Sequence, residues 1–166
     1  MTEAGELEQY RNFVEASNDI TAVVGADGTV AYVNSAVTRV LGYDPEDLIG
    51  EVGHEYVHLD DREAVTAAME TLRTGPDERR RVECRVRRAD GSWCWIEAAM
   101  RHRPAGAVDG ILVNGRDITE RKERESDLVT TKQRMELALE GANLGIWDWD
   151  MQTGRVSRDE LLTEML

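Results

Sequence analysis

The chain has 166 residues and carries 33 Asp and Glu against 20 Lys and Arg, a formal net charge of −13. That length suits one sizeable domain with additional segments, and the charge disfavours a nucleic-acid partner, whose phosphates such a surface repels. The chain has neither a signal peptide nor an apolar run long enough to span a membrane, so a cytoplasmic protein with no membrane contact is expected.

Taken in chain order, Leu7, Tyr10, Phe13, Val14 and Ser17 recur at helical spacing and predict an amphipathic helix over 3–17, within an N-terminal segment 1–18. Ile20 to Val24 reads as a short apolar strand. The turn Ala26-Asp27-Gly28-Thr29 and a second strand, Val30 to Val33, complete a hairpin. Three helix starts follow. Asn34 stands as a cap before Ser35 to Leu41. Asp44-Pro45-Glu46-Asp47 places proline at the first helical position, with Gly50 closing a short turn. Asp60-Asp61-Arg62-Glu63 reads as a capping box, which accounts for its two adjacent carboxylates. The helix it opens has Val65, Ala68, Met69 and Leu72 on one face and stops at Gly75-Pro76.

The period then changes to two. Val82, Cys84 and Val86 alternate with Glu83, Arg85 and Arg87, and Ala89-Asp90-Gly91-Ser92 is a hairpin turn. Cys94, Ile96, Ala98 and Met100 alternate with Trp93, Trp95 and Glu97. A looser turn near Pro104 to Gly110 leads to a last strand, Ile111 to Arg116. Two strands, then helices, then three strands predict an α+β domain: an antiparallel sheet with helices on one face.

Asp117-Ile118-Thr119-Glu120 ties that last strand to a continuous helix pattern over 118–142. Asp117 and Glu120 have the spacing of a capping box, so Asp117, Thr119 and Glu120 form a rigid junction. Leu128, Met135 and Ala142, spaced by seven, make a short seam that fits either a weak parallel coiled coil or a single exposed connector. The chain also echoes itself. Glu15-Ala16-Ser17-Asn18 returns as Glu140-Gly141-Ala142-Asn143, and Ile146 stands before Gly154-Arg155-Val156 as Ile20 stands before Gly28-Thr29-Val30. The expected organisation is a helix at 1–18, a domain at 19–118, a linker helix at 119–142 and the truncated start of a second copy at 143–166. Trp147 and Trp149 of that copy are expected to be exposed, disordered or covered by another chain.

The basic residues are almost all arginine, with Lys122 and Lys132 the exceptions. An acidic, lysine-poor surface suits a protein that stays hydrated in concentrated salt, and a halophilic source is expected. The charge is uneven: residues 1–75 hold −11, whereas 76–121 hold +2. Arg79, Arg80, Arg81, Arg85, Arg87 and Arg88 are therefore read as a strand face that pairs with acidic helices. Cys84 and Cys94 lack CxxC spacing and are read as small core residues of a reducing compartment. No nucleophile–base pair, metal-ligand cluster or phosphate loop is present in the sequence, so no catalytic or metal residue is expected in this segment.

The motifs in order are Asn34, Leu41-Gly42-Tyr43 with Pro45-Glu46-Asp47-Leu48-Ile49-Gly50, Val57-His58-Leu59-Asp60-Asp61-Arg62, Arg88-Ala89-Asp90-Gly91-Ser92-Trp93, Trp95, and Gly115-Arg116-Asp117-Ile118-Thr119-Glu120-Arg121. Together they resemble the PAS sensor-domain family over about residues 8–122, with a partial second domain from about 135. The sequence departs from the family at Gly25, where an acidic residue is usual, and at Leu59, where proline is usual. The resemblance implies a five-stranded antiparallel sheet, an apolar pocket between its inner face and the helices, and a signal leaving through the helix after Asp117-Ile118-Thr119. It also implies a tandem sensor region of a larger histidine kinase or transcriptional activator, whose downstream domain would lie outside this segment.

Alternation then places Val86, Cys94, Ile96, Ala98, Met100 and Val113 toward the pocket, facing Leu41, Val57, Met69 and Leu72. The expected occupant is a small apolar or aromatic molecule, with a filled, ligand-free core as the alternative. Flavin is disfavoured because Gly53 stands where the flavin-binding branch has its cysteine. Haem is disfavoured because the long helix carries no histidine. On the outer face Trp93, Trp95 and Leu112 need cover, and a homodimer through that face and the helix at 118–142 is expected.

Overall fold

The computed structural model describes residues 12–75, 79–103, 110–141, 147–150 and 155–158. The first part of the expected N-terminal helix, the loop near 104–109, Pro76, Ala142 and the rest of 143–166 lie outside these residues.

Five strands form one antiparallel sheet: β1 Ile20–Val24, β2 Val30–Val33, β3 Arg79–Arg87, β4 Trp93–Arg103 and β5 Gly110–Asp117. Their spatial order is β2-β1-β5-β4-β3, so the two sequence-local hairpins are joined by the pairing of β1 with β5. Between the hairpins run α1 Ala36–Leu41, α2 Pro45–Leu48 and α3 Arg62–Thr74. Two 3₁₀ turns, Gly53–Tyr56 and Leu59–Asp61, fill a stretch to which the apolar pattern assigned no element. The turns at both hairpins use the same chemistry. Asp27 Oδ1 accepts from the Thr29 N–H at 3.0 Å, and Asp90 Oδ1 accepts from the Ser92 N–H at 2.9 Å. Gly91 sits at φ 86°, a conformation a side chain would strain.

The core lies between the inner sheet face and the helices. On α3, Val65, Ala68 and Leu72 are buried on one face, at the spacing that makes a helix amphipathic. Ala36, Val37 and Leu41 of α1 and Cys94, Ile96, Ala98 and Met100 of β4 join them. Where β5 crosses, Gly115 faces Ala98 on one side and Ile20 on the other. A Cβ at Gly115 would approach Ile96 Cγ2 to 3.2 Å, closer than an ordinary contact, so the bare Cα gives Ile96 its room.

Two expectations about capping are overturned. Asn34 does not cap α1: Ser35 stands at the cap position, and the Asn34 side chain is fully buried. Its Oδ1 accepts from the Thr21 N–H at 2.9 Å, and its Nδ2 donates to the carbonyls of Val14 at 2.9 Å and Asp19 at 3.2 Å. It thus pins the helical stretch 12–15, the start of β1 and the entry of α1 together. Likewise Asp61 makes no side-chain cap on α3. It takes a two-pronged contact from the Arg85 guanidinium at 2.8 and 2.9 Å, and its Oδ2 also accepts from the Arg85 backbone N–H at 2.8 Å. A backbone N–H of an edge strand is satisfied this way: β3 is the last strand of the sheet, and a local helix cap yields to a stronger charge-assisted pair. The 3₁₀ turn Leu59–Asp61 just before α3 is capped by His58, whose Nδ1 accepts from the Asp60 N–H at 3.3 Å.

Arg85 meets Asp60 and Asp61 at the start of α3, as the reading of a strand face paired with acidic helices expects, and other arginines meet acids of loops and strands. Arg116 meets Asp19 at 2.9 Å, Arg88 meets Asp117 at 3.2 Å, and Arg81 meets Glu97 at 3.7 Å. The Arg85 guanidinium holds the Asp61 carboxyl below its ordinary range, more than its partial burial raises it. A depressed folded value stabilises the fold above the unfolded value of about 3.9 and loses that contribution as pH falls through the folded value. Wild-type protein is therefore expected to lose urea resistance between about pH 5 and 3, and Asp61→Asn to start weaker at pH 7 and lose less over that window. Equal losses in the two proteins would remove Asp61 from the acid response.

The remainder forms a separate unit, Arg121–Leu166, beginning within the long helix α4 Thr119–Gly141. Leu128 and Met135 are exposed on α4, and the pairs Lys122–Glu125 and Lys132–Glu136 run along its surface. Beyond it, β6 Trp147–Asp150 and β7 Arg155–Arg158 pair as an antiparallel hairpin, at the echo of β1–β2.

Candidate functional site

A cavity of about 190 Å³ opens between the sheet and the helices. The sheet supplies Ala22, Ile96, Ala98, Met100, Val113 and Gly115. From the other side come Leu41 of α1, Val57, and Met69 of α3. Its volume follows from small residues at one crossing: Ala22 pairs with Val113, and Ala98 with Gly115, so β1, β5 and β4 offer little side chain there.

Of the residues expected to line a pocket, Leu41, Val57, Met69, Val86, Ile96, Ala98, Met100 and Val113 stand in this wall. Leu72 and Cys94 do not. Leu72 is fully buried in the packed core beside the cavity. Cys94 lies at the start of β4, under the Thr119 hydroxyl, which donates to its sulfur at 3.5 Å. Alternation gave both the correct sheet or helix face, but not their distance along it from the cavity. Burial raises both thiols, Cys84 to about 12, with the Thr119 contact partly opposing the rise at Cys94. Neither is a reactive thiolate at neutral pH.

Three wall residues carry side-chain nitrogen or oxygen: Tyr43, His54 and Tyr56. The Tyr43 and Tyr56 rings meet edge to face, centroids 5.3 Å apart. His54 is exposed at the rim. Burial, reinforced by the Glu51 carboxylate, holds the Tyr56 phenol above its ordinary range and so protonated. Tyr43 stands in the motif Leu41-Gly42-Tyr43, but neither motif nor period places it, His54 or Tyr56 at a cavity. Tyr43 follows the end of α1, and His54 and Tyr56 sit on a 3₁₀ turn with no apolar period.

The junction is stitched at several points. Asp117 Oδ1 accepts from the Thr119 N–H at 2.8 Å, while its Oδ2 meets Arg88. Thr119 Oγ1 in turn accepts from the Trp95 N–H at 3.0 Å, and the Ile118 N–H donates to the Trp95 carbonyl at 2.8 Å. The start of α4 is therefore bound directly to β4, next to Ile96 of the cavity wall. On the other side, Arg88 Nε donates to the Val40 carbonyl at 3.1 Å, and the Ala89 N–H to the Leu41 carbonyl at 2.8 Å. Partial burial would raise the Asp117 carboxyl, but the Thr119, Cys94 and Arg88 contacts outweigh it and hold it below the usual range. Asp117 therefore stays ionised and bridges the hairpin arginine and the helix start.

On the outer face Trp93 is 42% exposed and Trp95 half-buried. Part of the cover they need comes from their own domain. His58 packs edge-on against Trp93 with centroids 4.7 Å apart, and the Arg85 guanidinium lies 5.3 Å from the Trp95 ring centre. Leu112 is half-buried on β5. Among the described residues no group of three or more His, Cys, Asp and Glu could hold a metal, and no helix is long and apolar enough to cross a membrane.

A family model described as "PAS fold" matches residues 14–123. The PAS domain of an HTR-like protein from Haloarcula marismortui is 31% identical and superposes with a TM-score of 0.60, over 69% of this chain and 93% of that one. A PAS domain from Colwellia psychrerythraea shares the fold, with a TM-score of 0.60 at 24% identity over 69% of this chain and 98% of that one. Over 158 residues, 94% of its length, the chain is 27% identical to the probable diguanylate cyclase DgcE of Escherichia coli (strain K12). It spans 14% of the length of that protein.

Proposed function

The chain belongs to the PAS-fold family, whose domains are sensory and signalling modules of signal-transduction proteins, and on that premise we propose that it senses a small molecule and relays its presence mechanically. Occupancy of the cavity displaces β4, β5 and the end of α1, and the Thr119–Trp95 and Asp117–Arg88 contacts carry the displacement into α4. The observation that carries this reading is the Thr119 hydroxyl bound to the Trp95 N–H, one residue from the cavity wall. The downstream element is a further domain of the same chain, and the hairpin β6–β7 is read as the start of a second, tandem unit. The cavity is smaller than the roughly 300 Å³ at which sites for drug-sized ligands begin. That, with Gly53 in its wall and no histidine on α3, argues against flavin and haem.

Hydrogen exchange of the α4 first turn tests the relay. Filling the cavity with Ala98→Leu should change exchange at residues 118–121 severalfold. Asp117→Ala, which removes a helix-start contact worth about 1 kcal/mol, should weaken that response, and Thr119→Val, which removes the Trp95 contact, should weaken it further, with the domain still folded in both. A first turn indifferent to Ala98→Leu would sink the relay.

A second reading, a ligand-free dimerisation scaffold, is favoured by the exposure of Leu128 and Met135 seven residues apart on α4, at 72% and 59%. A homodimer through α4 and the Trp93 face is expected to dissociate in sedimentation experiments when Leu128 and Met135 are both changed to glutamate. An unchanged mass, or a monomeric wild type, would exclude this seam.

A further inference from the structure

Resting on the ligand-binding reading above, we infer that the cavity takes an uncharged aromatic molecule of one or two rings with a single polar group, of the phenol or indole class. Size sets the first limit. A cavity of about 190 Å³ equals the liquid volume of about six waters at roughly 30 Å³ each, and a dry apolar cavity of about 150 Å³ is known to hold benzene. A ring system with a small substituent fits; a long chain or a nucleotide does not.

Charge sets the second limit. Among the described residues no Asp, Glu, Lys or Arg lines the cavity. Arg87 lies over the Tyr56 ring, 5.9 Å from its centre, and is itself absent from the wall. A carboxylate or ammonium entering would lose its hydration and meet neutral hydrogen-bonding groups but no carboxylate, ammonium or guanidinium in the wall to offset that loss.

The distribution of polar and polarisable groups sets the third. Wall residues with side-chain nitrogen or oxygen are gathered on one side. Tyr43 and Tyr56 touch, and His54 shares the Gly53–Tyr56 turn. Among the described residues the sheet side, which includes Ala22, Ala98, Val113 and Gly115, carries no side-chain nitrogen or oxygen, and its one thiol is Cys84. A ligand that satisfies both sides has an apolar body and one hydrogen-bonding group. Met100 of the sheet and Met69 of α3 also line the space, and thioether sulfur and tyrosine edges favour an aromatic body over an aliphatic one of equal volume.

The test is isothermal titration of the full 166-residue chain with indole and p-cresol, against indole-3-acetate and tryptamine as charged counterparts, with benzene as a competitor blind to polarity. Indole and p-cresol should bind one to one and be displaced by benzene, and the charged pair should bind about 100-fold more weakly. Ala98→Leu should weaken indole at least about tenfold by occupying its space. Should that variant misfold, the wild-type charge series still decides. A charged analogue binding as tightly as indole, or indole binding Ala98→Leu undiminished, would overturn the assignment while leaving a ligand-binding cavity open. Failure of benzene, indole and p-cresol alike to bind at millimolar concentration would overturn the assignment and the ligand-binding reading together.

Discussion

Replacing Asn34 with alanine is expected to lower the unfolding free energy by about 3 kcal/mol, the largest effect of any single polar substitution in the sensor domain. The Asn34 amide is fully buried and makes three hydrogen bonds, to Thr21, Val14 and Asp19. Alanine removes all three and leaves an N–H and two carbonyls without that partner in surroundings where water is scarce. Each typical bond contributes about 1 kcal/mol net, and each orphaned buried group costs about 1–3 kcal/mol. Asn34→Asp should fare no better. It keeps an acceptor for Thr21 but sets a carboxylate against two carbonyl oxygens, which burial penalises. Urea unfolding followed by tryptophan fluorescence measures both. A loss under about 1 kcal/mol for Asn34→Ala would mean that water replaces the amide and that the pin is dispensable.

Leu72→Ala is expected to cost about 3–4 kcal/mol, and Leu41→Ala about 1 kcal/mol less. Both leucines are buried, but only Leu41 borders the cavity. Leu72 is packed on all sides, so its truncation removes contacts and opens new empty volume. Leu41 already lacks partner atoms on its cavity side and has less to lose. Urea midpoints of the two variants at constant slope give the comparison. Equal costs would indicate that the cavity is closed in solution, which would also remove the premise of ligand binding.

The acidic response of Asp61 and the relay through Thr119 share one feature. Each depends on a side chain whose partner lies far along the chain: Arg85 for Asp61, and Trp95 for Thr119. Spacing within the sequence assigns such residues to the nearest helix start, because capping is a local rule and a local explanation is always available. At Asp44 the local rule held, with Glu46 N–H bonded to the Asp44 side chain at 3.5 Å. At Asn34 and Asp61 it failed, because tertiary partners bind those groups with better geometry and from more directions.

The sequence by itself determined the strand and helix order, the sheet's antiparallel class, the inward set Val82, Cys84, Val86 and Cys94, Ile96, Ala98, Met100, and the junction at Asp117. These follow from hydrophobic period and turn chemistry, which act over a few residues and so are written locally. The tertiary structure alone decided which inward residues border empty space and which are packed solid. It placed Leu72 and Cys94 outside the cavity wall and Tyr43, His54 and Tyr56 within it. Whether space remains at a crossing depends on the summed volumes of side chains from β1, β4, β5, α1 and α3 meeting at one point, and no single stretch of sequence carries that sum.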